Sequence, residues 1–234
     1  MDVHTYRASE LFAIRRQPVT VGLPSFMDLE FKPRHSLAPC RVGGAGLYAI
    51  SFRGRLAYVG MYRGLAGDPA GGDVVAMRWA KHLGTLTLRG HRVSIGKRAL
   101  DRLGGHCLAH AEPIACMLTC SQASPALHKD RGMNTSVNRA GFAARNWATF
   151  SQLNPNGDLD EFAFTYVQLS MAALRARDPE SVREAVRRAE ADARTVLQPI
   201  CNVETRSVHA RVQGTCSDAA LRLTRSLSLQ LGTV

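Results

Sequence analysis

The apolar positions after residue 178 are spaced as in one long amphipathic helix. They recur every three or four residues between Asp178, a residue type that favours the helix N-cap, and Pro199. Pro179 occupies the first helical position, where proline is well tolerated. The sequence therefore predicts a helix that Pro199 closes. Its apolar positions are Val182, Ala185, Val186, Ala189, Ala193, Val196 and Leu197.

Three short runs rich in β-branched and aromatic residues predict strands. The clearest of them covers residues 162–169. Residues 47–52 and 56–60 form two more runs, and the Arg53-Gly54-Arg55 turn between them predicts a β-hairpin. Strands of this kind beside a long helix indicate a fold of the α+β class.

Elsewhere the pattern is weaker, and glycine and proline decide most of the predicted boundaries. A helix at 74–83 ends at Gly84, and Arg89-Gly90-His91 separates two short β-rich runs. In chain order, the predictions are a short helix at 9–16, a proline-punctuated arm reaching residue 42, a loop at 64–72, the helix at 74–83, a second hairpin from 85–88 and 92–95, and a turn at 154–157.

The net charge of the chain indicates what kind of partner it binds. The chain carries 30 Lys and Arg against 19 Asp and Glu, a net charge of +11. Residues 1–82 carry 11 basic and 6 acidic side chains, residues 83–157 carry 9 and 3, and residues 158–234 carry 10 of each. A strongly basic chain is typical of proteins that bind a polyanion, and nucleic acid is the first candidate. The alternative is a basic surface without a ligand.

The cysteines and the N-terminal residues indicate the cellular compartment and whether zinc is expected. No secretory signal and no apolar run of about 18 residues is visible, so we expect a cytoplasmic protein with free thiols and no membrane partner. Five of the possible zinc ligands cluster in sequence, but their spacing matches no strong finger pattern, and zinc is not expected. They are His106, Cys107, His110, Cys116 and Cys120.

One carboxylate interrupts the apolar face of the long predicted helix. Glu190 follows Val186 by four residues and precedes Ala193 by three, so it points along that face. A carboxylate in such a position must be paired, protonated or bound to a cation. A salt bridge to a nearby arginine and a metal site are both open at this point.

The predicted hairpin carries two short motifs, Gly46-Leu47-Tyr48 and Tyr58-Val59-Gly60. Arg78 and His82 follow, four residues apart on a predicted helix, and Glu190 is followed by Pro199 and Asn202. In order and spacing these residues resemble the GIY-YIG nuclease family. Residues 35–39, His-Ser-Leu-Ala-Pro, are similar to its restriction-endonuclease branch.

The resemblance implies a small core with a three-stranded antiparallel sheet flanked by helices and interrupted by a large insertion. The core would comprise residues 43–82 and 158–204, and residues 83–157 would be a basic, DNA-recognising insertion. Residues 1–42 would form an N-terminal arm and residues 205–234 a C-terminal extension.

The resemblance also implies a role for each motif residue. Glu190 would hold one Mg²⁺, for which Mn²⁺ could substitute, and Arg78 would contact the scissile phosphate. Tyr48 would take the proton of the attacking water with His82 beside it, and Tyr58 would bond the phosphate or order that water. Asn202 would tie the helix end to the site.

The chain departs from the family where many relatives have Lys, Ser or Thr after the second motif. Met61 stands there, and Tyr62 or Arg63 could replace the contact. The gap from Gly60 to Arg78 is also longer than usual. We expect basic side chains around and beyond the first helix to bind DNA, because arginine meets guanine and phosphate and lysine meets phosphate. These are Arg63, Lys81, Arg89, Arg92, Lys97 and Arg98.

The function expected from the sequence is a Mg²⁺-dependent, site-specific endonuclease of restriction type that acts on double-stranded DNA. Cutting both strands would need a homodimer on DNA or two sequential nicks. Three alternatives stay open: a non-cleaving DNA-binding module with the same fold, a nuclease of DNA repair or of a mobile element, and a zinc-stabilised binding protein.

Overall fold

The computed structural model divides the chain into two units. Unit 1 comprises Met1–Leu11, Arg34–Arg78 and Leu159–Val234, and unit 2 comprises Phe12–Pro33 and Trp79–Asp158. The structure describes residues 1–16, 29–34, 42–87, 89, 93–95, 133–135, 137–150, 155–202 and 216–232.

Helices and strands are mixed along the described chain, which confirms the α+β class. No helix in these ranges is both long enough and apolar enough to cross a bilayer. The strands are β1 (Asp2–Arg7), β2 (Phe12–Arg16), β3 (Leu29–Pro33), β4 (Gly46–Phe52), β5 (Arg55–Tyr62), β6 (Val93–Ile95), β7 (Met133–Thr135) and β8 (Phe162–Gln168). The helices are α1 (Ala8–Leu11), α2 (Ala80–Thr87), α3 (Val137–Arg145), α4 (Trp147–Phe150), α5 (Pro155–Glu161), α6 (Met171–Arg175), α7 (Pro179–Leu197) and α8 (Cys216–Leu231), and a π-helical turn, Val75–Trp79, runs into α2.

Unit 1 is built on a four-stranded antiparallel sheet in the order β1-β8-β4-β5. The β4–β5 hairpin and the strand at β8 are therefore as predicted. A turn joins β4 to β5, in which Arg53 and Gly54 have φ of 51° and 72°. β4 lies between β5 and β8, which sets Tyr48 opposite both Gly60 and Tyr166. Because β5 ends the sheet, the outer edge of its backbone is open to other partners.

Two helices, α7 and α8, cover one face of this sheet. Alternate strand residues such as Leu47, Val59 and Val167 are buried in one apolar cluster with side chains of both helices. Helix α8 lies within the range that the sequence assigned to a C-terminal extension, and its Leu223 and Leu227 belong to this cluster. The core of unit 1 therefore extends to the end of the described chain.

Helix α7 has the boundaries that the sequence predicts. The Asp178 carboxylate caps its start and accepts a hydrogen bond from the Ser181 N–H at 2.8 Å. Pro179 is the first helical residue, and the helix ends at Leu197 because Gln198 adopts the left-handed conformation, with φ of 43°. Local signals at both ends thus fix the element that carries Glu190.

The N-terminal residues correct two predictions. Residues Asp2–Arg7 are not part of an arm but pair with β8, so the sheet has four strands where three were predicted. The predicted helix at 9–16 is limited to α1, and residues Phe12–Arg16 form β2, paired with β3. Both strands depend on partners distant in sequence, which local spacing does not reveal.

Three further predictions are wrong. Helix α2 does not end at Gly84 but continues to Thr87, so there is also no strand at the start of the predicted second hairpin. Strand Val93–Ile95 instead pairs in parallel with Met133–Thr135, and parallel pairing needs a partner far along the chain. The predicted turn at 154–157 is the start of α5, since Pro155 fits a first helical turn.

Candidate active site

All five tyrosines of the chain lie on one face of the unit 1 sheet. Side chains alternate along a strand, and residues paired across strands share a face. The register therefore places the five on the face opposite the one that α7 and α8 cover. We call it the tyrosine face, and its members are Tyr6 on β1, Tyr48 on β4, Tyr58 and Tyr62 on β5, and Tyr166 on β8.

The glycines of both motifs make room for tyrosine rings. A Cβ atom at Gly60 would lie 2.5 Å from the Cζ and Oη atoms of Tyr48. A Cβ atom at Gly46 would lie 3.0 Å from the Tyr166 Cζ and 2.3 Å from the Val167 carbonyl oxygen. Any larger residue at either position would displace a ring or a strand. The motif glycines are thus explained by packing on the tyrosine face.

Tyr48 and Tyr58 come together as the hairpin predicts. Their ring centroids lie 6.2 Å apart, and the ring planes are tilted by 33°. Tyr48 is buried, with 2% of its surface exposed, whereas Tyr58 is half-buried. Of the two phenols, Tyr58 is the more accessible to a substrate.

Asn202 binds the outer edge of β5 next to Tyr58. Its Oδ1 accepts a hydrogen bond from the Val59 N–H at 2.7 Å, and its Nδ2 donates to the Val59 carbonyl oxygen at 2.6 Å. The neighbouring Cys201 N–H donates to the Ala57 carbonyl oxygen at 2.8 Å. The amide therefore pairs with the backbone of β5 as another strand would. We call these two Asn202–Val59 hydrogen bonds the Asn202 clamp.

Glu190 lies on α7 with its side chain 12% exposed. Burial raises the pKa of this carboxyl, and the nearby Arg194 guanidinium lowers it in part. The shortest distance between the two charged groups, Arg194 Nη1 to Glu190 Oε1, is 3.6 Å. The salt bridge that the sequence left open is therefore present, although the contact is long for a charge-assisted hydrogen bond.

Arg194 also reaches the segment that carries the clamp. Its Nη2 donates to the Asn202 carbonyl oxygen at 3.4 Å. A continuous set of contacts thus runs from Glu190 through Arg194 and Asn202 to Val59, the residue after Tyr58. These contacts connect the Glu190 carboxylate on α7 to the part of the edge strand β5 that carries Tyr58.

Arg78 is exposed on the π-helical turn, near the tyrosine face. The Tyr62 hydroxyl donates to the Sδ of Met77 at 3.0 Å. Burial raises the pKa of Tyr62, and the Arg78 charge opposes this rise. Asp73 begins the turn, and its Oδ1 accepts hydrogen bonds from the backbone N–H groups of Val75 and Ala76. The Arg78 charge therefore acts on a tyrosine of this face, and π-helical turns are frequent at functional sites.

His82 is placed differently from Arg78. It lies on α2 in unit 2 and is buried, whereas Arg78 is the last residue of unit 1 and is exposed. The prediction put them one turn apart on a regular α-helix. Residues 75–79 instead have π-helical geometry, and the regular α-helix begins at Ala80.

The predicted DNA contacts divide into three groups. Arg63 and Lys81 are exposed, as contacts to phosphate require. Arg89 is wrong as a DNA contact: its side chain is fully buried and forms a 2.6 Å ion pair with Asp158. Outside the described residues lie Arg92, Lys97, Arg98, residues 35–39 and the His106, Cys107, His110, Cys116 and Cys120 cluster.

The donor set for a metal is small. Among the residues that the structure describes, no three His, Cys, Asp or Glu side chains form a group that could hold a metal ion. Glu190 offers a half-buried carboxylate, and the Arg194 guanidinium lies 3.6 Å from it. Mg²⁺ is compatible with such a site, since it binds through one or two carboxylates together with water and substrate phosphates.

Two residues at this site were not assigned from the sequence. Arg194 follows Glu190 by four residues, and that helical spacing is the signal that could have identified it. Tyr166 donates a hydrogen bond to the Gly44 carbonyl oxygen, and burial raises its pKa well above the usual range. Its place beside Tyr48 follows from strand register, which the sequence alone does not provide.

The chain was compared with protein-family models, with curated proteins and with solved structures, and none of them matches it.

Proposed function

We propose that this chain is a Mg²⁺-dependent endonuclease of the GIY-YIG type, which hydrolyses phosphodiester bonds in double-stranded DNA. One observation carries the proposal. The contacts from Glu190 through Arg194 and the Asn202 clamp reach the residue next to Tyr58, whose ring lies 6.2 Å from that of Tyr48. The two phenols lie on the tyrosine face, and the carboxylate is connected to the edge strand β5 from the face that α7 covers. Together they would supply most of the groups that phosphodiester hydrolysis requires.

The reaction needs a water molecule that loses a proton, stabilisation of negative charge on the phosphoryl oxygens, and protonation of the leaving oxygen. In the proposal, the half-buried Tyr58 hydroxyl bonds the phosphate or orders the water, and Tyr48 accepts the water's proton while it releases its own phenolic proton to solvent. The water oxygen forms a bond to phosphorus while the bond to the leaving oxygen breaks, and a proton from solvent protonates the leaving oxygen, which yields a phosphate monoester and a hydroxyl.

Arg78 and Glu190 supply the charged groups. The exposed guanidinium of Arg78 neutralises the scissile phosphate, because its planar fork matches two phosphate oxygens. Mg²⁺ held by Glu190 would add positive charge for the transition state, and Mn²⁺ could replace it. Asn202 acts as a positioning residue that fixes the strand carrying Tyr58.

The basic excess supports DNA as the substrate. Residues 83–157 carry 9 basic and 3 acidic side chains, and the exposed Arg63 and Lys81 add positive charge next to the proposed site in sequence. A surface of this charge attracts phosphate. We propose that residues 83–157 select the cleavage site, as in a restriction-type enzyme. A cytoplasmic location and a homodimer on DNA belong to the same proposal.

The test is cleavage of supercoiled plasmid and genomic DNA by the full chain with Mg²⁺ or Mn²⁺. We expect discrete fragments from the wild type. Glu190→Gln and Tyr48→Phe should each lower the rate by about 10²–10³-fold, the cost of removing one charge-stabilising or proton-transferring group. The matched control is Glu180→Gln, an exposed carboxylate at the start of the same helix, which should cut as the wild type does.

The outcomes separate the alternatives. Binding to DNA without cleavage under either metal would favour a non-cleaving module. Cleavage that survives Glu190→Gln would show that the proposed carboxylate is not part of the site. Random nicking instead of discrete fragments would favour a repair or mobile-element nuclease over a restriction enzyme.

A further inference from the structure

Arg194 has a position that its neighbours on α7 do not share. Its Nη1 lies 3.6 Å from Glu190 Oε1, and its Nη2 lies 3.4 Å from the Asn202 carbonyl oxygen. By contrast, Arg187 and Arg188 bind the Glu184 carboxylate on the exposed side of the helix at 2.7–2.8 Å. One guanidinium thus spans the proposed metal ligand and the segment that fixes β5.

The geometry of this contact allows the arginine to exchange partners. A close charge-assisted hydrogen bond is about 2.7–2.9 Å long, and the Arg194–Glu190 contact is well outside that range. The Arg194 side chain is 43% exposed, so water can replace the carboxylate around it. The Glu190 side chain is only 12% exposed and has little other access to solvent.

We infer that Arg194 is a positioning residue that holds the Glu190 carboxylate at the edge of β5 and weakens its affinity for a divalent cation. The inference rests on the proposed function, since it assumes that Glu190 is the metal ligand. The guanidinium and the cation are both positive and approach the same carboxylate oxygens. The cation must therefore displace the guanidinium or bind against its repulsion.

A purely structural ion pair predicts something different. Such a pair would contribute to helix stability, and its loss would leave metal binding unchanged. A positioning residue has two effects that can be measured separately. Loss of its charge tightens metal binding, whereas loss of its contact with the carboxylate slows cleavage.

The test measures Mn²⁺ binding to the full chain without DNA, by electron paramagnetic resonance of the free ion. Arg194→Gln removes the charge and keeps donor N–H groups. We expect it to lower the dissociation constant for Mn²⁺ by about two- to fivefold, the effect of one partly exposed charge pair. In cleavage assays the same variant should reach half its maximal rate at lower Mg²⁺, with a reduced maximal rate.

Two variants serve as controls. Arg194→Lys keeps the charge and should bind Mn²⁺ as the wild type does. Arg188→Gln removes an exposed charge from the same helix, away from Glu190, and should also leave the affinity unchanged. Thermal unfolding of each variant checks that it is folded, which we expect because Arg188 and Arg194 are exposed.

Different results would contradict the role of Arg194 and the proposed function. An unchanged dissociation constant in Arg194→Gln, or an equal change in Arg188→Gln, would overturn the role of Arg194. Equal Mn²⁺ binding by the wild type and Glu190→Gln would instead remove the metal site, and with it the proposed function.

Discussion

Two arginine–carboxylate pairs in this chain have the same chemistry and opposite environments. In unit 2, Arg89 and Asp158 are 2.6 Å apart with side chains 0% and 6% exposed, and Arg89 also donates to the Phe150 carbonyl oxygen. In unit 1, Arg194 and Glu190 are 3.6 Å apart with side chains 43% and 12% exposed. The first pair is closed to solvent, and the second is open on the arginine side.

This difference assigns the pairs to different tasks. A closed pair cannot exchange its partner for a ligand, because both charges are surrounded by protein. Burial lowers the pKa of Arg89, and the Asp158 charge opposes that change, so the ion pair compensates the cost of enclosing the guanidinium. The open pair can release its carboxylate. Exposure and distance, rather than residue type, therefore separate a pair that holds the fold from one that can serve a site.

The largest effect that tests this comparison is expected at the closed pair. Asp158→Ala leaves the buried Arg89 charge without its carboxylate, which typically destabilises a protein by about 3–5 kcal/mol. Urea unfolding followed by circular dichroism measures this cost. The double variant Arg89→Met, Asp158→Leu leaves no charge behind and should recover most of the loss. If Asp158→Ala unfolds at the wild-type urea concentration, the pair does not hold unit 2.

The next largest effect on stability is expected at the Asn202 clamp, which carries no charge. Asn202→Ala removes both hydrogen bonds to Val59, and an unsatisfied backbone group costs about 1–3 kcal/mol. We expect the lower half of that range, because Asn202 is half-buried and water can replace part of the clamp. Asn202→Asp keeps the acceptor for the Val59 N–H but sets a carboxylate oxygen against the Val59 carbonyl oxygen, so it should not restore the clamp. A wild-type unfolding curve for Asn202→Ala would mean that the clamp does not stabilise β5.

The two pairs also show what the sequence can predict. The Glu190–Arg194 pair is local, with four-residue helical spacing, and the sequence leaves it open as one of two readings. Arg89 and Asp158 are far apart along the chain, and nothing in the local pattern near Arg89 signals its burial. The arginine therefore looks like a DNA contact until the tertiary structure encloses it.

The elements of the fold also fall into those that the sequence predicts from local signals and those that it does not. Helix α7 and the β4–β5 hairpin carry their own signals, the Asp178 cap and the Arg53-Gly54 turn, and both are predicted correctly. Strand β1 and the parallel pair β6–β7 depend on distant partners, and the sequence misses them. At the site, the contact between Tyr48 and Tyr58 follows from the hairpin, whereas Tyr166 joins them only through the register of β8.

Breaking the Arg194–Glu190 pair should have a small effect on the stability of the fold and a large effect on cleavage. Glu190→Gln breaks a partly exposed contact, which contributes less than about 1 kcal/mol. The same variant should lose cleavage, because the proposed metal ligand is gone. Urea unfolding and plasmid cleavage on one preparation provide both values. If Glu190→Gln destabilises the chain as much as Asp158→Ala does, Glu190 is a structural residue and the comparison fails.

The smallest effect is expected at a carboxylate that needs no arginine. Backbone and side-chain hydrogen bonds with Ser181 lower the pKa of Asp178 from its ordinary value of 3.8. The ionised form is therefore favoured in the folded state, so its stabilising effect is present above pH 3.8 and is lost as the pH falls through the lower folded-state pKa. Asn is an equally good N-cap and does not titrate, so Asp178→Asn should melt like the wild type at pH 7. Below pH 3.8 the wild type should lose melting temperature relative to the variant. Melting curves from pH 7 to pH 2 that stay parallel would show that the cap does not depend on the charge of Asp178.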